Sequence, residues 1–547
     1  MKWLPVLWCC FLLAACSDAQ TGPDRPHVDG FDADAGGDVP RDGIAEDADA
    51  AGDDGGGDFG DGDPGTDGTA DDGYDGYDGG DEEDGGGDDG GGGDDGGAGD
   101  DGGGGDDGSA GDDGGDQPPV ELTRGMRWVR DNPMFVSALT VSMGPPPATF
   151  VNTYYDDFHA NATHLWQDGL PNEINGWAAA GRSDFRFVSW VDKNGRSSDG
   201  GQIAGGYSGT PAGRIGYQIG DEPGLGCNDA QCALDSLYEM EAGLNAVRAV
   251  DPEALIYINF YMSDYIDELL AYYLDNVDFD LIQYDRYARD KDAYEALEIF
   301  RDAGLASHKP YWRYLRAFVY QGNNNTSTPI DMRWDAMAGL VYGYTGHTWF
   351  IYTIDNNPDI DPVLFDAEND FNANPTELWH AAAQINLELR NLGRAITQLT
   401  STDVRYIPYN DFLQPKETEN WSPGAGDDPY LTAVECTTSQ WMEILIGFFK
   451  DDAGQIYFML QNVSHDSGGW PNNIVTTATY RLSFDFNSAP PSTSRTALQT
   501  LNKLTGQVES LPLTSSTGDT GYLDVVLEPG DAILLKYDTG APFALQQ

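Results

Sequence analysis

The sequence predicts an α/β protein: a (β/α)8 TIM barrel over residues 121–400, followed by an antiparallel β-sandwich over residues 401–547. Three observations support this prediction. Residues 17–120 contain almost no apolar residues, whereas after Pro119 the composition becomes that of a globular protein rich in Trp and Tyr. Short β-type runs then alternate with longer helical patterns up to about residue 400. Beyond that, β-type runs are separated by turns of Ser, Thr, Gly and Pro.

Residues 1–16 have the pattern of a bacterial signal peptide. One Lys precedes an apolar run that is too short to span a bilayer as a permanent helix. The run ends in Leu13-Ala14-Ala15-Cys16, which resembles the bacterial lipobox, in which the Cys is acylated after cleavage. We therefore expect a lipid on Cys16, and several acyl chains on one Cys give durable anchoring. The alternative is an ordinary secretory signal. By resemblance to sorting in double-membraned bacteria, Ser17 after the Cys favours the outer membrane or cell surface.

Residues 17–120 are predicted to form a disordered spacer. This segment holds 35 acidic and 2 basic residues and 35 of the 69 Gly residues of the chain. Such a segment cannot bury enough apolar surface to offset the entropy lost on ordering. A calcium-binding array is the alternative, because Asp61-Gly62-Asp63 is similar to part of a calcium loop. The flanking helices or stacked apolar residues that make such loops into sites are missing.

Eight predicted strands, each followed by a helix within about 280 residues, match the count and size of a TIM barrel. A doubly wound sheet is the alternative, but its first strand would lead into a Gly-rich phosphate turn. Here the first strand leads into Met143-Gly144-Pro145-Pro146-Pro147. The predicted strands are Phe135–Ser142, Thr163–Gln167, Phe185–Val191, Ile215–Gly220, Ala254–Phe260, Leu281–Tyr284, Pro310–Leu315 and His347–Thr353.

Polar and aromatic residues follow these strands, where TIM barrels carry their active sites. Carboxylates beside Trp and Tyr suit sugars, which stack on aromatic rings and hydrogen-bond to carboxylates. The alternative is that the acidic residues only cap the following helices. The candidate substrate-binding residues are Trp166, Trp190, Asn259, Tyr287, Arg313, Trp349 and Tyr352.

The stretch from Gly216 to Gly224, GYQIGDEPG, is the most informative motif. A β-type run stops at the adjacent carboxylates Asp221 and Glu222, and Pro223 cannot continue a strand ladder. The motif resembles that of glycoside hydrolases with (β/α)8 barrels, especially clan A and the family 42-like group. There an Asn-Glu-Pro or Asp-Glu-Pro turn ends the fourth strand, and its Glu is the general acid/base. The resemblance implies this role for Glu222, whose pKa a neighbouring Asp221 and a partly apolar site would raise.

Two further stretches resemble the same proteins. Residues 335–353, DAMAGLVYGYTGHTWFIYT, are similar to their last helix and strand, and residues 384–400 to the helix that leads into their C-terminal domain. One feature departs from clan A, in which the nucleophile Glu ends the seventh strand. Residues 309–321, KPYWRYLRAFVYQ, contain no carboxylate. Either another strand supplies it, with Asp285 the first candidate and Asp355 the second, or the enzyme inverts, or the barrel binds glycan without cleaving it.

Cysteine and charge usage limit the remaining possibilities. In an oxidising compartment Cys227 and Cys232 can close a small loop, which leaves Cys436 free or buried. No second Cys or His pair lies at ligand spacing, so we expect no metal, and no motif calls for a cofactor. The net charge of −63 disfavours nucleic acid as a partner. We also expect a monomer.

The C-terminal segment resembles the β-domains that follow glycosidase barrels, and residues 527–535 are similar to their final hairpin. Trp441 and Trp470 there suit packing or carbohydrate binding. The sequence thus yields three hypotheses: a surface-tethered glycoside hydrolase acting on a poly- or oligosaccharide, a non-catalytic glycan-binding lipoprotein, or a structural surface protein.

Overall fold

The computed structural model describes residues 121–141, 144–166, 171–197, 202–205, 212–288, 291–320, 327–353, 360–368, 370–408, 415, 417–439, 443–465 and 475–546. The predictions for the signal peptide, Cys16 and the acidic spacer lie outside these residues, as do those for Asp355, Trp441 and Trp470.

The first part of the described chain is a closed parallel barrel surrounded by helices, as predicted. Its strands lie side by side in the order β5, β4, β3, β2, β1, β10, β8, β7, β6. The two end strands, β5 and β6, are consecutive segments separated only by Ile258, so the sheet closes on itself as eight strand positions. The strands are β1 Phe135–Thr140, β2 Thr163–Leu165, β3 Phe187–Val191, β4 Arg214–Ile219, β5 Leu255–Tyr257, β6 Asn259–Tyr261, β7 Ile282–Asp285, β8 Tyr311–Arg316 and β10 Gly346–Thr353.

Helices alternate with these strands and cover the outside of the barrel. A short antiparallel pair, β9 Phe318–Tyr320 and β11 Ile360–Pro362, lies beyond the ends of β8 and β10. The helices are α1 Arg124–Asp131, α2 Ala148–Asp156, α3 Pro171–Ala179, α4 Ala230–Val250, α5 Ile266–Asn276, α6 Lys291–Ser307, α7 Pro329–Tyr342 and α8 Glu377–Ile396.

Helix α7 is buried on nearly all sides because it lies between the barrel and the C-terminal sheets. Its first turn is fixed by a capping box, in which the Thr328 hydroxyl accepts from the Asp331 amide and the Asp331 carboxylate accepts from the Thr328 amide. Gly343 ends the helix in the left-handed conformation that glycine adopts without a steric penalty.

The C-terminal part is a sandwich of two antiparallel sheets, also as predicted. One sheet has the order β12, β14, β15, β21, β17, β18 and the other β13, β16, β20, β19. Alternate residues of β16 are buried, as expected for a strand with one face against the core. The strands are β12 Thr400–Ile407, β13 Leu431–Cys436, β14 Ile444–Lys450, β15 Ile456–Asn462, β16 Ala478–Asp485, β17 Ala497–Leu501, β18 Val508–Pro512, β19 Ser515–Thr517, β20 Thr520–Leu527 and β21 Ala532–Tyr537.

One detail of the predicted sandwich is wrong. Residues 527–535 were expected to form a final hairpin, but β20 pairs with β16 and β19, whereas β21 pairs with β15 and β17. The turn between them therefore connects the two sheets instead of joining two paired strands.

Candidate active site

A pocket lies at the carboxyl ends of the barrel strands, the end at which TIM barrels carry their active sites. The empty space within it, counted together with the open solvent at its mouth, amounts to ≈ 260 Å³. Among the residues that the structure describes, its lining combines carboxyl, amide and aromatic groups and includes no Lys, Arg or His. The lining residues are Leu139, Trp166, Trp190, Gln218, Asp221, Asn259, Asp285, Tyr287, Tyr314 and Phe350.

The turn after β4 brings two adjacent carboxylates to this end of the barrel. Gly220 and Glu222 both have positive φ angles, 65° and 44°, so the chain turns sharply at Asp221. A non-glycine residue in this region carries a backbone strain of about 1–2 kcal/mol. The Glu222 amide donates to the Asn259 carbonyl of the neighbouring strand at 2.9 Å, which holds the turn in place.

Asp221 and Asp285 share a single neutral donor. The Asn259 Nδ2 group donates to Asp221 Oδ1 at 2.8 Å and to Asp285 Oδ1 at 3.0 Å. Burial and the charge of Asp285 raise the pKa of Asp221 to about 8, against which the Asn259 hydrogen bond acts. Burial also raises the pKa of Asp285 to about 6, while hydrogen bonds from Glu222, Asn259 and Tyr287 lower it. The pair therefore holds protons at neutral pH that an exposed aspartate would have lost.

Glu222, to which the sequence resemblance assigns the acid/base role, is 7% exposed and hydrogen-bonded to Asp285. It does not belong to the described lining of the pocket, whereas Asp221 does. The three predicted catalytic carboxyls thus form one cluster, in which Asp221 and Asp285 line the pocket and Glu222 is hydrogen-bonded to Asp285.

A hydrogen-bonded chain runs from Asp221 into the barrel interior. Gln218 Nε2 donates to Asp221 Oδ1 at 3.1 Å, and the Tyr314 hydroxyl donates to Gln218 Oε1 at 2.8 Å. The same hydroxyl lies 3.1 Å from His164 Nδ1. Burial lowers the pKa of His164 to about 3, so its ring is neutral. Because the Tyr314 proton is directed at Gln218, His164 donates from Nδ1.

Gln218 and Tyr314 were not predicted as site residues. Gln218 lies on the face of β4 that faces the barrel interior, and Tyr314 lies on the equivalent face of β8. Strand alternation identifies these faces only once the orientation of one residue in each strand is known.

Aromatic rings form one wall of the pocket, and they include the substrate-binding candidates Trp166, Trp190 and Tyr287. The rings of Trp166 and Trp190 are stacked, with centroids 4.4 Å apart and an interplanar angle of 11°. The Trp190 Nε1 atom is buried and has no hydrogen-bond partner among the described residues. Phe350, which was not predicted, lies 6.0 Å from Tyr287 between ring centroids.

Three predicted substrate-binding residues are corrected, because they lie between the strands and the helices and not in the pocket. Arg313 is buried and forms an ion pair with Asp335 of α7. Trp349 is fully buried and donates from Nε1 to Asn386 Oδ1 of α8 at 2.7 Å. Tyr352 packs against Tyr154 and accepts from Trp379 Nε1 at 3.2 Å.

The seventh barrel strand, β8, carries no carboxylate at the pocket, in agreement with its sequence. Arg316 at its end donates from Nε to the Phe318 carbonyl at 3.1 Å and lies over the rings of Phe318 and Tyr320. The second pocket carboxyl instead comes from the sixth strand position, through Asp285.

The predicted disulfide between Cys227 and Cys232 is present, and Cys436 is free. The disulfide joins the loop after Glu222 to the first turn of α4. Within the described part of the chain, no cluster of three or more His, Cys, Asp or Glu side chains is arranged to hold a metal ion. No helix among the described residues has the length and hydrophobicity needed to cross a membrane.

No protein-family model matches the chain, and no curated protein sequence matches it. Solved structures match at low similarity. A β-galactosidase from the haloarchaeon Halorubrum lacusprofundi shares 12% identity over 47% of this chain and 58% of its own, with a TM-score of 0.36. A GH30 endoxylanase from Clostridium papyrosolvens shares 11% identity over 75% of this chain and 97% of its own, with a TM-score of 0.37.

A GH27 β-L-arabinopyranosidase from Geobacillus stearothermophilus shares 8% identity over 76% of this chain and 98% of its own, with a TM-score of 0.39. The chain spans less than two thirds of the length of two β-galactosidases that it matches, that of Halorubrum and one from Marinomonas.

Proposed function

We propose that this protein hydrolyses O-glycosidic bonds of a poly- or oligosaccharide. The observation that carries the proposal is the pair Asp221 and Asp285, two carboxyls with raised pKa values in one aromatic-walled pocket at the carboxyl ends of the barrel strands. Glycoside hydrolysis uses two carboxyls, of which one is protonated at working pH and donates to the leaving oxygen. An open pocket lined by carboxyls also disfavours the hypothesis of a purely structural protein.

Two assignments of the proton donor follow from the cluster. The sequence resemblance assigns the role to Glu222, with Asp285 as the second carboxylate. The pocket favours Asp221 as donor, because it faces the pocket and its pKa of about 8 keeps it protonated at neutral pH. In both assignments Asp285 acts as the base or nucleophile, and its pKa of about 6 leaves it largely ionised at neutral pH.

Three isosteric variants test hydrolysis and assign the roles. Glu222→Gln, Asp221→Asn and Asp285→Asn are assayed on a panel of aryl glycosides and polysaccharides. The variant that lacks the proton donor loses about 100-fold or more in kcat, as is typical for removal of a general acid. It recovers on a dinitrophenyl glycoside, whose leaving group needs no proton, whereas Asp285→Asn stays inactive. Wild-type rates in all three variants contradict the proposal.

A non-catalytic glycan-binding protein is the second candidate. The observation that favours it is the hydrogen bond between Glu222 and Asp285. Retaining enzymes keep their carboxyls about 5–5.5 Å apart and inverting enzymes about 6.5–9.5 Å, and a direct hydrogen bond is shorter than either. Calorimetric binding of glycans that are never cleaved, by the wild-type protein, favours this candidate over the first.

We also propose that the protein is anchored by a lipid on Cys16 at the outer membrane or cell surface. The Leu13-Ala14-Ala15-Cys16 motif supports the anchor, and Ser17 supports the location. In cell fractionation, Cys16→Ala should move the protein from the membrane to the soluble fraction, while Cys436→Ala should not. Retention of the Cys16→Ala variant in the membrane fraction contradicts the anchor.

A further inference from the structure

The charge of the pocket restricts the sugar that can bind there. Asp221 and Asp285 line it, and Glu222 is hydrogen-bonded to Asp285. The described lining includes no basic side chain that would neutralise them. Because the carboxyls are buried, their field inside the pocket is only weakly screened by solvent and salt.

Three arginines that the structure describes and that lie close in sequence to the site are engaged elsewhere. Arg313 lies behind the barrel wall in an ion pair with Asp335. Arg316 lies on the rings of Phe318 and Tyr320 and donates to a backbone carbonyl. Arg286, which follows Asp285, pairs with Asp292 at 3.9 Å. None of the three belongs to the pocket lining.

Two buried polar atoms of the pocket have no partner among the described residues. The Asn259 Oδ1 atom is an acceptor on a side chain that is 2% exposed, and the Trp190 Nε1 atom is a donor. Buried polar groups normally have hydrogen-bond partners, so both atoms are available to a ligand. Together with the carboxyls they present mainly acceptors, which suit hydroxyl and ammonium groups.

We propose that the sugar unit bound against Asp221 and Asp285 carries no negative charge, so that the substrates contain neutral or amino sugars at this position and exclude uronic acids and sulfated sugars. This inference rests on the glycan-directed function proposed above. A carboxylate about 5 Å from an ionised carboxyl is disfavoured on the order of 100-fold at an effective dielectric constant near 20.

Matched aryl glycosides test the inference on the full chain. Binding of 4-nitrophenyl glucoside, glucosaminide and glucuronide, and of the corresponding galacto series in both anomers, is measured by calorimetry at pH 7. In every configuration that binds, we expect the neutral or amino sugar to bind about 100-fold more tightly than the uronate. Uronates that bind as tightly as their neutral counterparts overturn the inference.

An Asp285→Asn variant tests the electrostatic cause. It removes one charge without changing shape, so the preference for the neutral sugar should fall about tenfold or more. The control is Asp275→Asn, which removes an exposed carboxylate of α5 and should keep the wild-type preference. An unchanged preference in Asp285→Asn overturns the electrostatic explanation.

Binding and cleavage separate the inference from the function on which it rests. If neutral glycosides bind but are never cleaved, hydrolysis is contradicted, whereas the inference that the bound sugar carries no negative charge is not. If uronates are bound and cleaved, the inference about charge is contradicted, whereas hydrolysis is not. A chain that binds none of the glycosides contradicts both.

Discussion

Asp221 and Asp285 are held together by a neutral side chain and not by a cation. Asn259 donates one hydrogen bond to each, but it supplies no positive charge to offset two ionised carboxylates. Two buried like charges at this spacing repel strongly, so the pair retains a proton well above the pH at which an isolated aspartate loses it. The barrel therefore maintains a protonated carboxyl beside an ionised one, which is the state that acid/base chemistry requires.

The raised pKa values make stability depend on pH. A carboxyl whose pKa is raised on folding binds more protons in the folded than in the unfolded state, so the free energy of unfolding decreases as pH rises. For Asp221 this loss begins near pH 4 and ends near pH 8. Compared with wild type, Asp221→Asn should flatten the decrease by on the order of 1 kcal/mol per pH unit between pH 5 and 8.

The measurement is denaturant unfolding at intervals of one pH unit from 5 to 9. Asp275→Asn is the control, because an exposed carboxylate should leave the wild-type slope unchanged. A wild-type slope in Asp221→Asn would mean that Asp221 is ionised throughout this range.

Tyr314 connects the neutral imidazole of His164 to the amide of Gln218. Its replacement by Phe removes one hydroxyl and leaves the Gln218 Oε1 atom and the His164 Nδ1 group without their partner. Each buried polar group left unpaired costs about 1–3 kcal/mol, so Tyr314→Phe should lower the free energy of unfolding by at least that amount. Tyr238→Phe, at a tyrosine that is 39% exposed, is the control for denaturant unfolding. Equal stability of the two variants would contradict the hydrogen bonds of Tyr314 with Gln218 and His164.

At the residue scale the sequence located the carboxyl cluster but not its orientation. Asp221 and Glu222 were found because Pro223 ends a strand beside them, and Asp285 because it ends the sixth strand. The sequence does not show which of the alternate residues in a strand face the barrel interior. For this reason the prediction placed Arg313, Trp349 and Tyr352 at the pocket, although they face the helices. In β10 the register also shifts: Ala138 pairs with Trp349, but Thr140 pairs with Thr353.

At the element scale, the β4–α4 loop is the segment on which the proposed chemistry depends. The disulfide joins Cys227, in the loop that carries Asp221 and Glu222, to Cys232 in the first turn of α4. The same turn is capped by Asp229, whose carboxylate accepts from the Cys232 amide at 2.8 Å. The loop is thus tied at its start to Asn259 and at its end to α4.

Replacing both cysteines by serine should therefore affect activity as well as stability. A loop of this size contributes about 2 kcal/mol of chain entropy, so the double variant should unfold at correspondingly lower denaturant concentration. Its activity should fall, because the carboxyls lose one of their two restraints. Wild-type protein treated with reductant should behave in the same way, and Cys436→Ser should behave like untreated wild type. Full activity in the double variant would mean that the Asn259 contact alone positions the turn.

The type of an element was predictable where its periodic pattern extended over many residues. The pairing of strands in the sandwich was less predictable. The sequence predicts helices over residues 230–250 and 265–276, and α4 and α5 match these ranges within one residue because each has an apolar face repeated over three or more turns. The short strands of the sandwich leave weaker patterns, and several were not predicted individually. The false hairpin at residues 527–535 arose because a turn between two strands has the same composition whether the strands pair or lie in different sheets.

At the scale of the whole molecule, the barrel and the sandwich share one apolar core. The cluster that contains the barrel residues Val341 and Leu389 also contains Leu445, Phe449 and Tyr457 of the sandwich. Polar contacts reinforce this interface. Arg333 of α7 pairs with Asp531 of the sandwich at 3.9 Å, and Lys503 of the sandwich pairs with Glu388 of α8 at 3.7 Å. Gln461 Nε2 donates to the Trp334 carbonyl at 2.9 Å. Neither part can be removed without exposing the apolar surface of the other.

The described part of the chain should consequently unfold in a single transition. Gly447 tests this, because a Cβ atom there would lie 2.0 Å from the Val341 carbonyl oxygen of α7. Gly447→Ala should destabilise by about 1–3 kcal/mol, a typical cost of overpacking. Since the contact joins both parts, the variant should lower the melting temperature of both together.

Two probes follow that transition separately. Tryptophan fluorescence reports mainly on the barrel, because eight of the eleven Trp residues after residue 120 lie in residues 121–400, and a fluorophore on the free Cys436 reports on the sandwich. Val526→Ala, at a side chain that is 65% exposed on the outer sheet, is the control and should change stability by less than about 0.5 kcal/mol. If the two probes report different melting temperatures in Gly447→Ala, the barrel and the sandwich are independent folding units, and the shared core does not couple them.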